Sequence, residues 1–473
     1  MRRNSNLLNK LDWTTVGLYL LLMLIGWLSI YAAVYNEDHR NIFDLSQRYG
    51  MQLLWIASSM VLALIVMAFD HKFFSVFAYI IYGVIMLLLI LVLFAGTEVN
   101  GSRSWFVIGP FRLQPAELSK VATSLALAKL ISQHNFKIHH FANLFKIGFI
   151  IGLPVLLIFL QHDTGSALVF ASLLIMLYRE GISGWYVSIA AFTAVLFILT
   201  IIWTPLSILL FLWIMSLLVY ALLNRNFTHA IVTGGLTMGV YFLLTEVILP
   251  NFELHDFFPD RLFLVICAAA LAVGMLFTFK KKIRYFWPVL LFFIGSVSVA
   301  SSVDYMFNNL LKPHQRVRIE DMLGLQEDLQ GAGYNVHQSK VAIGSGGIIG
   351  KGFLQGTQTR YNFVPEQSTD FIFCTIGEEW GFVGSLFLLF IYVMLLTRII
   401  MISERQRDHF ARIYGYCVLS ILSFHVIINI AMTIGLAPVI GIPLPFISYG
   451  GSSLWAFSIL IFILLKFDAV RWN

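Results

Sequence analysis

The run VGLYLLLMLIGWLSIYAAVY, residues 16–35, holds twenty positions without a charged side chain. At about 1.5 Å per residue, a helix of that length crosses the roughly 30 Å hydrocarbon core of a bilayer. The basic approach to it, Met1-Arg2-Arg3 through Lys10, also suits a secretory leader. A leader has a shorter apolar core, so an uncleaved first span is expected.

The same signal recurs along the chain. Apolar runs at 15–35, 51–69, 73–95, 116–133, 147–161, 165–179, 185–203, 206–223, 229–250, 261–279, 286–303, 369–397, 411–434 and 451–466 predict fourteen membrane helices. Composition agrees, with 59% of the 473 residues hydrophobic and only 12% charged. Soluble domains carry about 25% charged residues, so a water-soluble enzyme and a disordered chain are both excluded. The expected fold is an all-α polytopic membrane protein. Cys267, Cys374 and Cys417 lie in apolar runs and are odd in number, which indicates neither a disulfide framework nor a metal cluster.

Charge orients the spans. The net charge of +6 would suggest nucleic acid on a soluble chain. Here it reads as topogenic Lys and Arg. With a cytoplasmic N-terminus, nineteen of the 31 basic residues fall on inside loops and six on short outside loops. The other six, Lys312, Arg316, Arg318, Lys340, Lys351 and Arg360, share one long outer segment, and long segments are largely exempt from the bias. Both termini are then cytoplasmic.

That segment, 304–368, interrupts the bundle. Dense glycine interleaved with Tyr334, Phe353, Tyr361 and Phe363 argues for folded, irregular backbone rather than a linker. Its run Gly344-Ser-Gly346-Gly347-Ile-Ile-Gly350-Lys351-Gly352 is not a nucleotide loop. Ser345 stands where a phosphate loop needs its first glycine, and Gly352 where it needs Ser or Thr. Ile349 replaces the third glycine of the dinucleotide pattern.

Three clusters of ionisable residues stand out. Lys312 and Arg316 are four apart and share a face if helical, with Arg318 close by. Arg103 sits beside Trp105 and Phe106 in a loop suited to a membrane surface. Glu117 and Lys120 are three apart just after Pro115, which favours a helix start there. Ionisable groups inside a membrane are costly, so this pair is either a structural ion pair or part of a substrate cavity. Asp163, Asp370, Glu378 and Glu379 stand near helix starts, where capping, cavity lining and cation binding all remain open.

Four stretches carry a resemblance. They are GAGYNVHQSKVAIGSGGIIGKGFLQGTQTRYNFVPEQSTDFIFCTIGEEWGFVGS at 331–385, NGSRSWFVIGPFRLQPAELSK at 100–120, QHDTGSALV at 161–169 and GIPLPFISYGGSS at 441–453. In this order they are similar to the SEDS family of bacterial shape, elongation, division and sporulation proteins, and closer to its elongation branch than to its division branch. The resemblance implies a SEDS-type bundle, usually of ten spans, with a large extracytoplasmic loop. This chain departs from it by about four inserted helices. The expected partition is a core at 1–181, an insertion at 182–285, a core helix at 286–303, the loop at 304–368 and a C-terminal core at 369–473.

The resemblance further implies a peptidoglycan glycosyltransferase that polymerises lipid II on the outer face of the inner membrane. A class B penicillin-binding protein and other elongation-complex proteins are the implied partners. Such a reaction joins a sugar 4-hydroxyl to an anomeric carbon whose leaving group is undecaprenyl pyrophosphate. It needs a base, cations for the pyrophosphate and an apolar groove for the lipid.

Asp328 matches the family's catalytic aspartate in the pattern Asp-x-x-Gly-x-Gly-Tyr, although Leu329 stands where proline is common. Its neighbour Glu327 is the alternative base, while Glu320 and Asp321 fit solvated loop carboxylates. Arg103, Glu117, Lys120, Lys312, Arg316, Arg318, Gln338 and Lys340 make up the expected substrate-binding set. A divalent cation on the pyrophosphate is compatible with this chemistry, but no ligand spacing requires one. The rival functions are a lipid II flippase and a non-catalytic scaffold for the penicillin-binding protein.

Overall fold

The computed structural model describes residues 10–35, 42–99, 101–109, 111–248, 259–281, 286–310, 316, 320, 333–361 and 363–471. Among them the chain is a polytopic helical membrane protein with two compact units. One comprises Met1–Gly184 with Glu327–Asn473, the other Trp185–Gln326.

In the first unit, α1 (Trp13–Val34) starts where the Asp12 carboxylate accepts the Thr15 amide hydrogen at 3.0 Å. Next come α2 (Arg48–Ala68) and α3 (His71–Ala95), the latter capped by Asp70. Between α3 and the next helix the chain forms a small antiparallel sheet of β1 (Thr97–Val99), β2 (Ser102–Ile108) and β3 (Phe111–Leu113). The Arg103 region is therefore a strand pairing Glu98 with Arg103 and Phe106 with Leu113, not the loop expected.

Helix α4 (Pro115–Ile131) opens with proline in its first turn. All of its residues but Leu118 and Lys129 are buried, surrounded by α3 and α5 (Phe141–Leu160), and by α16 (His409–Thr433) and α17 (Gly451–Val470). Small residues at Ala116, Ser119, Ala122, Thr123 and Ala126 let those neighbours approach closely. The expected span at 165–179 is broken into α6 (Thr164–Val169), a 3-10 turn at Phe170–Ser172 and α7 (Leu173–Arg179).

The second unit contains α8 (Gly184–Ile202), α9 (Pro205–Asn224), α10 (Phe227–Phe242), α11 (Pro259–Lys281) and α12 (Phe286–Tyr305). Thr204 caps α9 and Pro205 begins it, which explains how two helices join with almost no loop. Leu212, Trp213, Phe263, Cys267 and Phe293 form its core, and the Trp213 indole donates to Thr237 Oγ1 at 2.9 Å.

The C-terminal part of the first unit holds α13 (Tyr334–Ser345), the single turn α14 (Thr357–Arg360), α15 (Ile372–Glu404), α16 and α17. Among the described residues, eleven helices are long and apolar enough to cross a membrane, against the fourteen expected. Two of the other three are shorter than their apolar runs suggested: α4 has 17 residues, and the α6–α7 segment is interrupted. The third corresponds to α11.

Arg398 and Arg405 at the far end of α15 both pair with Asp12, at 2.6 and 2.8 Å. Arg405 also pairs with Asp468 of α17. Burial is the largest influence on the Asp12 carboxyl and pushes it up. The Thr15 amide and the two guanidinium groups more than offset this and hold it below the ordinary aspartate range.

Candidate functional site

The first polar centre lies at the start of α4. Lys120 Nζ donates to Glu117 Oε1 at 2.8 Å and to His425 Nε2 of α16 at 2.9 Å. The ammonium also lies 5.3 Å from the centre of the Phe457 ring. All three ionisable side chains are buried, Lys120 to 1% exposure. His425 Nδ1 is 3.1 Å from the Pro443 carbonyl, which can only accept, so Nδ1 carries the proton. The Lys120 ammonium can only donate, so Nε2 accepts from it and the imidazole is neutral. Glu117 Oε2 is buried without a protein partner. The sequence motif placed Glu117 and Lys120 together but missed His425, which stands alone in an apolar run. The available signal was that an intramembrane lysine needs more than one acceptor.

Around this pair the ends of several elements are tied together. Gln114 Nε2 donates to Asp163 Oδ2 at 2.7 Å, and Ser452 Oγ donates to the Arg112 carbonyl at 2.8 Å. Asp163 caps α6 through the Ser166 amide and hydroxyl, at 3.1 and 2.9 Å. Of its three open roles, satisfying a helix end is the one the contacts display. A groove of about 480 Å³ runs beside Leu118, lined by Ser58, Val61, Leu62, Leu113, Leu118, Trp455 and Ile459. Its lining is apolar apart from the Ser58 position, and the Ser58 hydroxyl bonds to the Trp55 carbonyl.

The second centre is built around Glu378, which has no exposed surface. Its Oε1 accepts from Lys351 Nζ at 2.7 Å and from the amides of Thr357 and Gln358 at 2.7 and 2.8 Å. Its Oε2 accepts from the amide and hydroxyl of Thr359, both at 2.9 Å. Glu379 Oε1 accepts the Leu354 amide at 3.0 Å. The glycine-rich stretch is therefore folded around a carboxylate of α15, and its lysine is neutralised by that carboxylate. Glu378 caps the distant turn α14, a role that spacing within its own helix could not reveal.

The third centre is Arg48, at the first residue of α2. Its guanidinium donates to Ser368 Oγ at 2.6 Å, lies 3.5 Å from Glu366 and sits over the Tyr449 ring at 5.9 Å. The Tyr449 amide donates to the Ser368 carbonyl at 2.8 Å, so two motif stretches, 331–385 and 441–453, meet here. The sequence reading used Arg48 only as a topogenic charge.

Of the expected set, Arg103, Gln338 and Lys340 also lie in the first unit. The Arg103 side chain is exposed, and its amide donates to the Gln161 carbonyl at 3.1 Å. On α13, Gln338 is half-buried and Lys340 is exposed. In the other unit, Arg316 pairs with Glu320 at 2.8 Å and stacks over Phe307 at 5.0 Å. Glu320 is thus a mostly buried ion-pair partner rather than a solvated loop carboxylate. Lys312, Arg318, Glu327 and Asp328 lie outside the described residues. Among the described residues, no group of three His, Cys, Asp or Glu side chains is arranged to hold a metal ion.

Known proteins share this sequence and architecture. The profile of the FtsW/RodA/SpoVE family, described as cell cycle proteins, matches residues 12–225 and 206–472. The peptidoglycan glycosyltransferase RodA of Treponema pallidum is 33% identical over 460 residues, covering 97% of each chain. The peptidoglycan glycosyltransferase MrdB of Escherichia coli K12 is 44% identical over 161 residues, 34% of this chain and 44% of that one. Among solved structures, the rod shape determining protein RodA of Thermus thermophilus aligns over 98% of both chains with a TM-score of 0.56 at 21% identity. A chain from a peptidoglycan synthase complex that coordinates polymerisation and crosslinking aligns with a TM-score of 0.60 at 24% identity, over 98% of this chain and 99% of that one. These two structural likenesses are likenesses of fold.

Proposed function

The chain belongs to the FtsW/RodA/SpoVE family, and on that premise we propose that it is a peptidoglycan glycosyltransferase that polymerises lipid II. The observation that carries this reading is its end-to-end correspondence with the Treponema pallidum enzyme, 33% identity over 97% of both chains. Both the flippase and the scaffold readings leave that correspondence with a glycosyltransferase unexplained.

In the proposed reaction Asp328 takes the proton of the sugar 4-hydroxyl as its oxygen attacks the anomeric carbon. Undecaprenyl pyrophosphate leaves with its bonding electrons, and configuration inverts without a covalent intermediate. An aspartate ordinarily titrates near 3.9, so it is ionised at neutral pH and needs positioning or burial to act as a base. Positioned general-base catalysis contributes about 10²–10⁴-fold.

The developing pyrophosphate charge calls for donors fixed in advance. Arg103, Lys312, Arg316, Arg318 and Lys340 are proposed for that task, with Gln338 as a polar contact. Glu117 and Lys120 are proposed to shape the substrate cavity from beneath. Lys120 is buried and already bonded to Glu117 and His425, which favours a positioning role over direct contact with substrate. The apolar groove beside Leu118 suits an isoprenoid chain. A divalent cation, where one is used, would neutralise pyrophosphate charge.

The proposed location is the bacterial cytoplasmic membrane, with both termini cytoplasmic and the 304–368 segment on the outer face. Its proposed partners are a class B penicillin-binding protein, which cross-links the product, and the elongation machinery. The test is polymerisation of labelled lipid II by the purified chain, alone and with a cognate class B penicillin-binding protein. Polymer in either arm supports the reading. Transbilayer movement of lipid II with no polymer in both arms points to the flippase.

A further inference from the structure

The tip 346–352 of the glycine-rich segment is unusual in how firmly it is held and in what it presents. Helix α15 is broken at Gly381, whose φ of +65° is open to glycine and strained for other residues. At the break, the amides of Phe382 and Val383 donate to the carbonyls of Gly347 and Ile348, at 2.9 and 3.1 Å. On its return, the tip's amides at Lys351 and Gly352 donate to the carbonyls of Glu378 and Glu379, at 3.0 and 2.9 Å. Gly350 passes so close to the Glu379 carbonyl and to Gly381 that no Cβ fits there. The tip is thus bonded to α15 on both sides of the break. Yet Ile348 and Ile349 are 72% and 82% exposed. Two adjacent branched apolar side chains on a fixed support imply an apolar surrounding.

Position along α15 identifies that surrounding. Arg405, bound to Asp12 and Asp468, marks the polar boundary at one end. Val383 lies roughly 33 Å from it at 1.5 Å per residue, close to the thickness of a hydrocarbon core. Between them Leu386, Phe387 and Phe390 form an exposed apolar face of a membrane-crossing helix. Ile348 and Ile349 lie at its opposite end, where the Ile348 carbonyl accepts from the Val383 amide. Trp380 stands at the same level, half exposed, with the Phe353 ring 6.4 Å away, and tryptophan is enriched at membrane–water boundaries.

We propose that the 346–352 tip is a membrane-anchoring element whose Ile348 and Ile349 side chains insert among lipid acyl chains at the bilayer surface. It pins the segment around Glu378 at the depth where a lipid-linked headgroup leaves the membrane. The anchor does not depend on the reaction proposed above.

The test is nitroxide accessibility in the purified full-length chain, in nanodiscs of phosphatidylethanolamine and phosphatidylglycerol. Labels are placed at Ile348→Cys and Ile349→Cys after Ser replacement of Cys267, Cys374 and Cys417. Phe390→Cys is the lipid reference and Gln355→Cys, exposed in the same segment, the aqueous one. The expected result is faster relaxation by dissolved oxygen than by a water-soluble nickel chelate at 348 and 349, as at 390, with the order reversed at 355. Nickel-dominated relaxation at both isoleucines would put the tip in water. Slow relaxation by both reagents would put it under protein. Either result overturns the proposal, and agreement between the two labels guards against distortion by one of them.

Discussion

Lys120 and His425, 305 positions apart in sequence, meet at 2.9 Å inside the helical bundle. The contact joins α4 to α16, and through the Pro443 carbonyl it reaches the 441–453 motif. Breaking a buried ion pair by removing one partner costs about 3–5 kcal/mol, because the other charge is left uncompensated. Lys120→Met should therefore lower thermal stability sharply in detergent. Combining it with Glu117→Gln should recover much of the loss, and a double-mutant cycle from thermal unfolding checks this.

Glu378 is the acceptor on which residues 351–359 converge. Glu378→Gln keeps the shape but puts an amide donor among donors and leaves Lys351 without its counter-charge, bonded to the Thr357 hydroxyl. Hydrogen bonds to a charged group contribute about 1.5–3 kcal/mol each, so the segment should loosen well before the bundle does. Limited proteolysis should cut the variant between 345 and 361 faster than wild type, with the transmembrane core intact. Equal cutting rates would mean that the segment is held by other contacts.

Gly381 and Gly350 face each other where α15 breaks. Gly381→Ala adds a Cβ against the 348–350 backbone as well as the cost of a positive φ. Folded yield should fall, measured as the monodisperse fraction on size exclusion. Gly295→Ala, in open space on α12, should leave it unchanged.

Asp12 offers a pH signature. Its folded carboxyl lies below the ordinary range, so the Asp12–Arg398–Arg405 cluster stabilises the fold at neutral pH. The contribution is complete above the ordinary aspartate value of about 3.9 and is lost as pH falls through the folded value. Asp12→Asn should be less stable than wild type at pH 7, and their denaturation midpoints should converge at low pH. A constant gap across the range would remove charge as the cause.

Much of the architecture is legible in the chain because membrane spans announce themselves locally. The run 16–35 and its counterparts needed no distant information, and Pro115 with Glu117 pointed to a helix start close to that of α4. The sheet at 97–113 was missed because its longest strand has Ser102, Arg103 and Ser104 at its start and reads as a loop. The runs at 116–133 and 165–179 form shorter or interrupted helices, because apolar runs measure hydropathy and do not register a break such as that at Phe170–Ser172. The site is less legible for a related reason. Glu117 and Lys120 are neighbours on one turn, whereas His425, Arg48 with Ser368, and Glu378 with Thr359 are long-range pairings that no local spacing encodes.

The role of Asp328 as the base is tested by polymerisation of labelled lipid II, comparing wild type with Asp328→Ala in the presence of the cognate penicillin-binding protein. Glycan polymer is expected from wild type and none from the variant, with both proteins equally folded and equally able to bind the partner. Equal polymer from both would contradict it, removing Asp328 from the chemistry and moving the base to Glu327.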